Sequence, residues 1–220
     1  MDVARGLAGV REQIARAAAR AGRDPAGVEL VAVSKRQPAV AIREAFAAGH
    51  RAFGENYAQE LRDKAAELAD LEGLRWHAIG PLQTNKAKYV AAVAHAFHAL
   101  DRVEVARELG RRRLADPLPC YVEVNVAGEE SKHGVPPEAL PDLLAALREV
   151  PGVALVGLMT MPPWGDPEAA RPHFRTLRGL AERHGLAGLS MGSTDDVEVA
   201  VEEGATIVRV GRSIFGERPT

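Results

Sequence analysis

Lys35 closes an apolar run in the segment VELVAVSK. A lysine at the end of a buried strand is partly desolvated, which disfavours the ammonium and makes the amine a nucleophile toward carbonyl carbon. The same position would also suit a lysine that snorkels its head into water. Two glycine-bearing turns lie far along the chain. Gly192-Ser193-Thr194 joins a flexible backbone to two hydroxyls, ahead of a helix expected near Asp195. Gly211-Arg212-Ser213-Ile214-Phe215 opens a short closing helix whose first N–H groups lack partners within the helix. Both have the chemistry of anion-binding turns, although ordinary turn glycines and Ser or Thr caps share that composition. Arg209 stands two residues before the second turn.

The elements between these residues must bring them to one place. Val3, Leu7, Val10 and Ile14 recur at three- and four-residue steps, predicting an amphipathic helix stopped by Gly22. Runs of strand length follow at 28–33, 51–53, 76–79, 96–100, 119–126, 153–159, 189–191 and 206–210. Helical periodicity fills the intervals at 38–48, 56–71, 83–93, 101–114, 136–149, 167–184 and 194–203, with a turn after 211. Eight strand–helix units imply right-handed crossovers and a parallel sheet. They predict an α/β fold: a (β/α)8 TIM barrel with an extra N-terminal helix, residues 1–220 forming one domain. An open doubly wound sheet is the alternative if the weak second and seventh runs are not strands. The extra helix is expected to cover the barrel bottom or to make an interface.

A parallel barrel keeps its chemistry at the carboxyl ends of its strands. Those ends supply Lys35, Gly54-Glu55-Asn56-Tyr57, His77, Glu123, Asn125 and Met159-Thr160-Met161. The last two add Ser190 with the 192–194 turn and Arg209 with the 211–213 turn. Phosphate frequently binds after strands seven and eight of such barrels, and closure makes strand eight the neighbour of strand one. A phosphate-bearing aldehyde that condenses with lysine meets both features, and pyridoxal 5′-phosphate (PLP) is the commonest such cofactor. A Schiff-base aldolase acting on a phosphorylated sugar is the alternative. Arg209 favours PLP, because a guanidinium can donate to the pyridine nitrogen and an open-chain sugar has no equivalent acceptor. An arginine stays protonated and cannot protonate that nitrogen, so the ring would be a weak electron sink.

The segment VAVSKRQPAVAIREAFAAGHRAFGENYAQE resembles the lysine and FGENY region of the pyridoxal phosphate homeostasis protein family. The likeness continues through WHAIGPLQTNKAKYV, VEVNVAGEESKHGV, GLMTMPP, LSMGSTDDVEVAVEEGA and VRVGRSIFGER, in order, over about residues 28–218. This resemblance implies a single-domain barrel like the alanine racemase N-terminal domain, covalently bound PLP and no established turnover. It implies that Lys35 is the Schiff-base lysine and Arg209 the arginine facing the pyridine nitrogen. Ser190, Gly211 and Arg212 then fall where the phosphate is held, while Asn56, His77 and Met159 line the cofactor's surroundings. Two departures stand out. The family usually reads Met-Gly-Met-Ser where this chain has Met191-Gly192-Ser193-Thr194, which leaves a hydroxyl at Thr194. It often has Thr or Ser where this chain has Arg212, so a cation replaces a short hydroxyl.

Alanine racemases, which share this barrel, add a β-rich second domain and a tyrosine base from the partner subunit. Only nine residues follow Gly211 here. A carrier is therefore expected, in which Lys35 captures the aldehyde reversibly in intracellular vitamin B6 homeostasis. Its partners would be PLP and the apo-enzymes that receive it. A PLP enzyme acting on an amino acid or amine, with Tyr57 or His77 as base, is the alternative.

Composition narrows the remaining classes. With 28 Lys+Arg against 30 Asp+Glu the net charge is 28 − 30 = −2, without the basic excess of a nucleic-acid binder. The lone Cys120 excludes an intramolecular disulfide or a cysteine zinc cluster, and reads as a buried small residue. No run is long enough to span a membrane, and the first residues lack a signal peptide's apolar core, so a cytoplasmic protein is expected. His95 and His98 are expected on opposite faces of one strand, unsuited to joint metal ligation. Arg111-Arg112-Arg113 reads as a basic helix end. Either a monomer or a weak homodimer fits this composition.

Overall fold

Short runs rich in Val, Leu, Ala and Phe form eight parallel strands. These are β1 (Glu29–Val33), β2 (Ala52–Glu55), β3 (Arg75–Ala78), β4 (Ala94–Leu100), β5 (Leu118–Glu123), β6 (Val153–Met159), β7 (Gly188–Ser190) and β8 (Ile207–Val210). Each pairs with the next and β8 closes on β1, so the sheet is a barrel and not an open doubly wound sheet. The computed structural model describes residues 2–129 and 132–217.

Helices α1 (Val3–Arg20), α2 (Ala39–Ala47), α3 (Ala58–Glu67), α4 (Ala87–Val93), α5 (Val103–Gly110), α6 (Leu140–Arg148), α7 (Arg171–Arg183), α8 (Val197–Glu202) and α9 (Arg212–Phe215) surround it. Three ends differ from expectation. Strand β5 stops at Glu123 because Asn125 folds into a turn, donating its N–H to the Val135 carbonyl and its side-chain amide to the Glu129 carbonyl. Asn56 and Tyr57 stay outside α3, Tyr57 in extended backbone as its N-cap. Helix α5 ends at Gly110, where a Cβ would lie 2.1 Å from the Pro151 carbonyl oxygen. The basic triplet follows that end, and Arg113 caps the carbonyls of Ala91 and Ala94.

The first helix does not lie across the barrel bottom. It buries Val3, Leu7, Val10 and Ile14 against α8, α9 and α2. The helix that follows β8, α9, has only four residues, so α1 fills the outer slot between α8 and α2. Gly6 permits this approach, since a Cβ there would sit 2.7 Å from the Ser213 carbonyl oxygen.

Strand register sorts the inner residues. Val31 is level with Arg209, Val33 with Gly54, Gly54 with His77, Glu123 with Met159, and Met159 with Ser190. Barrel interiors are ordinarily packed with branched apolar side chains. Toward its carboxyl end this one holds His77, His98, Glu123, Ser190 and Arg209 instead, all buried.

Candidate functional site

Arg209 is 5% exposed and its guanidinium is fixed from several sides. Nη1 donates to Ser190 Oγ at 2.5 Å, and Nη2 to the Thr160 carbonyl at 3.0 Å and Met161 Sδ at 2.9 Å. Burial lowers its pKa to about 10, opposed by the carboxylates of Glu123 and Asp196, so it remains a cation at neutral pH.

From Ser190 the polar chain continues across the lumen. Ser190 Oγ lies 2.7 Å from His98 Nδ1, and His98 Nε2 lies 3.0 Å from His77 Nδ1. Burial holds both imidazoles neutral, His77 with a pKa of about 3 and His98 well below its ordinary value. Each ring then has one N–H, so the Ser190–His98 and His98–His77 bonds run in the same direction. His98 also stacks on Tyr121 at 4.6 Å between centroids. Gly188 makes room for that ring, because a Cβ there would approach Tyr121 Cε1 to 2.7 Å. Glu123 faces the same space, its carboxyl pushed up to about 7 by burial against the pull of Arg209.

At the mouth, β1 ends in a turn that carries Lys35, half-buried, and Arg36, whose φ of 60° is left-handed. Val31 and Val33 point inward by register, and Ser34 turns outward to donate to Glu55 Oε1 at 2.7 Å. Lys35 follows Ser34 in that turn, at the carboxyl end of β1. Asn56 is half-buried, and its backbone lies so close to the next loop that a Cβ on Gly80 would meet its carbonyl oxygen at 2.4 Å. Gly211 brings the turn after β8 against β1, with a Cβ position 3.1 Å from the Val33 carbonyl oxygen.

The sequence-derived residues thus fall into two tiers at one end of the barrel. His77, Met159, Ser190 and Arg209 line the lumen, while Lys35, Asn56, Thr194 and Gly211 occupy the turns above it and Arg212 opens α9. Of the two hydroxyls in the 192–194 turn, that of Ser193 is engaged: its Oγ and its N–H both donate to Asp196 Oδ1. Thr194 is half-buried beside it. The Arg212 guanidinium turns to Asp195 at 2.7 Å, stapling the β7 and β8 loops at the surface.

His98 is the residue whose role sequence reasoning missed. Its opposition to His95 is correct, since His95 is exposed and accepts the Trp76 N–H while His98 is fully buried. The available signal was that the inward face of β4 is the one that meets the lumen. Among the described residues no cluster of His, Cys, Asp or Glu could hold a metal ion. Cys120 is buried with its thiol pushed up to about 12.

Comparison with known proteins follows this geometry. The family described as alanine racemase, N-terminal domain, matches residues 7–219. The pyridoxal phosphate homeostasis protein of Pseudomonas aeruginosa is 48% identical, covering 98% of this chain and 96% of its own. That of Escherichia coli strain K12 is 43% identical over 99% of this chain and 97% of its own. The chain belongs to the pyridoxal phosphate homeostasis protein family. Among solved structures, PipY of Synechococcus elongatus with PLP bound superposes with a TM-score of 0.84 at 36% identity, covering 97% of this chain and all of that one. Alanine racemase from Corynebacterium glutamicum, at 18% identity and a TM-score of 0.67, shares the fold over 96% of this chain and 61% of its own. In this member of the pyridoxal phosphate homeostasis protein family, Gly192 adopts φ 96° and fits tightly: a Cβ would fall 2.4 Å from Ala200 Cβ. The backbone of that turn is thereby fixed whatever side chain follows it.

Proposed function

We propose that the chain binds PLP at the carboxyl mouth of the barrel, anchors it covalently through Lys35, and serves as a PLP reservoir in vitamin B6 homeostasis without catalytic turnover. The observation that carries this reading is Arg209, a buried cation held immobile beneath the turn that carries Lys35. The donor set suits the cofactor along its length. Lys35 offers the amine, Arg209 an N–H donor for the ring nitrogen, and the 192–194 and 211–213 turns backbone N–H groups for a phosphate. The Gly211 backbone packs closely against β1, so a side chain there would be tight against Val33. Because the Arg212 guanidinium is committed to Asp195, its N–H is the phosphate donor in this arrangement. When bound, PLP supplies an aldehyde that bonds reversibly to an amine and a pyridine ring that can accept electron density.

The protein's own groups favour holding over reacting. A permanently protonated Arg209 cannot pass a proton to the ring nitrogen, which keeps electron withdrawal weak. His77, with its pKa near 3 and Nδ1 bonded to His98, is a poor base at neutral pH. Asn56 and Met159 shape the pocket without titrating. No helix among the described residues is long and apolar enough to cross a membrane, in keeping with a cytoplasmic reservoir that passes PLP to apo-enzymes as a monomer or weak homodimer.

Absorption of the purified chain with PLP, before and after borohydride, tests the reading. A visible band that is lost on reduction, with the pyridoxyl mass on Lys35 and no band in Lys35→Ala, is the expected outcome. Amino-acid turnover by the purified chain that is abolished by Lys35→Ala would replace the reservoir with an enzyme.

A further inference from the structure

Outside the barrel wall, directly behind the Lys35 turn, lies a buried ionic cluster that the cofactor site does not use. Lys64 of α3 is 8% exposed, and its Nζ donates to three oxygens. These are the Ser34 carbonyl at 2.6 Å, Glu55 Oε1 at 2.8 Å and Glu60 Oε1 at 2.7 Å. Two further bonds tie the cluster to the turn. Ser34 Oγ donates to Glu55 Oε1 at 2.7 Å, and the Arg36 N–H donates to Glu60 Oε1 at 2.6 Å. Both chain neighbours of Lys35 are therefore held by charged groups, and the left-handed backbone of Arg36 is stabilised by the second of these bonds. Among the described residues Glu55 Oε2 is buried with no hydrogen-bond partner, so the cluster is kept despite an unsatisfied oxygen. Buried ion sets of this kind are weak sources of stability but can specify one geometry.

We propose that Glu55, Lys64 and Glu60 are positioning residues for Lys35: by clamping Ser34 and Arg36 they aim its amine into the lumen. The inference rests on Lys35 being the PLP anchor and adds the device that orients it. Charged hydrogen bonds from outside the wall fix the turn on either side of Lys35.

The test compares covalent capture with simple binding in the full chain. Capture is read as the rate of appearance of the visible band with PLP and as borohydride-trapped mass on Lys35. Simple binding is read as affinity for pyridoxine 5′-phosphate, which keeps ring and phosphate but has an alcohol in place of the aldehyde. Glu60→Ala, at a partly exposed site, removes the acceptor for the Arg36 N–H. It is expected to slow capture roughly fivefold or more, the worth of about 1 kcal/mol of orientation, with pyridoxine 5′-phosphate affinity unchanged. Glu60→Gln keeps an acceptor oxygen and is expected to restore most of the rate. Lys64→Met should slow capture further. Wild-type capture rates in a folded Glu60→Ala, or equal losses in Glu60→Ala and Glu60→Gln, would overturn the clamp. Parallel losses in analogue affinity would overturn it too, because the cluster would then support the whole site. A wild-type chain that shows no band overturns the anchor assignment itself, and the clamp with it.

Discussion

Ser190 joins two buried groups: it accepts from Arg209 Nη1 and meets His98 Nδ1. Removing its hydroxyl leaves both partners buried. Ser190→Ala is therefore expected to cost about 1–3 kcal/mol of stability, read from the urea midpoint, and to weaken PLP binding by loosening Arg209. Glu123 works in the opposite direction. Its folded pKa is raised from 4.5 to about 7, so folding favours the protonated acid. The stability it contributes is intact below pH 4.5, where both states are protonated, and is lost as pH rises toward 7. Glu123→Gln should therefore stabilise the chain by roughly 2–3 kcal/mol above neutral pH, with the gain vanishing near pH 4.5. His77 has the reverse sign. Its pKa is depressed from 6.5 to about 3, so its contribution is complete above 6.5 and lost as pH falls through that window. Denaturation curves of Glu123→Gln and the parent across acid and neutral pH would separate the two.

At the level of elements, α1 replaces the missing outer helix, and its two early glycines have contrasting surroundings. Gly6 lies against backbone, with Cβ positions 2.7 Å from the Ser213 oxygen and 2.8 Å from the Ile214 oxygen. Gly9, one turn on, has nothing within 4 Å. Gly9→Ala is expected to stabilise by about 0.5–1 kcal/mol through helix propensity alone. Gly6→Ala should instead destabilise by about 1–3 kcal/mol, since neither backbone can yield freely. Because α9 carries Arg212, Gly6→Ala should also lower phosphate affinity, measurable with inorganic phosphate. Ion pairs add to this seam: Arg20 of α1 meets Glu198 and Glu202 of α8, and Arg171 reaches Glu202 and Glu203 from α7. The Arg20 pairs are half-exposed on the arginine side and contribute little singly, so the apolar face of α1 and the Gly6 contact dominate its docking.

For the whole molecule, closure turns separate strand ends into one mouth, and a ligand held there stabilises the entire barrel by mass action. PLP at about a hundredfold over its dissociation constant should add about 2.7 kcal/mol, seen as a higher Tm. Lys35→Ala should show much less of that shift at the same concentration, since it keeps only the non-covalent contacts. An equal shift in both proteins would place the ligand away from Lys35.

Much of this was legible in the sequence because it is local. Period-two apolar runs separated by helical intervals fixed eight units, and strand ends named Lys35, Ser190 and Arg209 without knowledge of their contacts. Turn composition likewise singled out Gly192 and Gly211 before their close packing was visible. What the chain could not disclose locally is which inward residues meet. His98 and Ser190 are 92 residues apart, and their bond depends on barrel closure and on the irregular register of β4 against β5. The Glu55–Lys64 cluster escaped notice for a similar reason: it lies on the outer face of β2, where the partner comes from α3. The replacement of the eighth outer helix by α1 is also a tertiary matter, because an amphipathic pattern states that a helix must bury one face but not against which neighbour. Periodicity is written in consecutive residues. Hydrogen bonds between buried side chains depend on angstrom-scale distances that only the closed barrel sets.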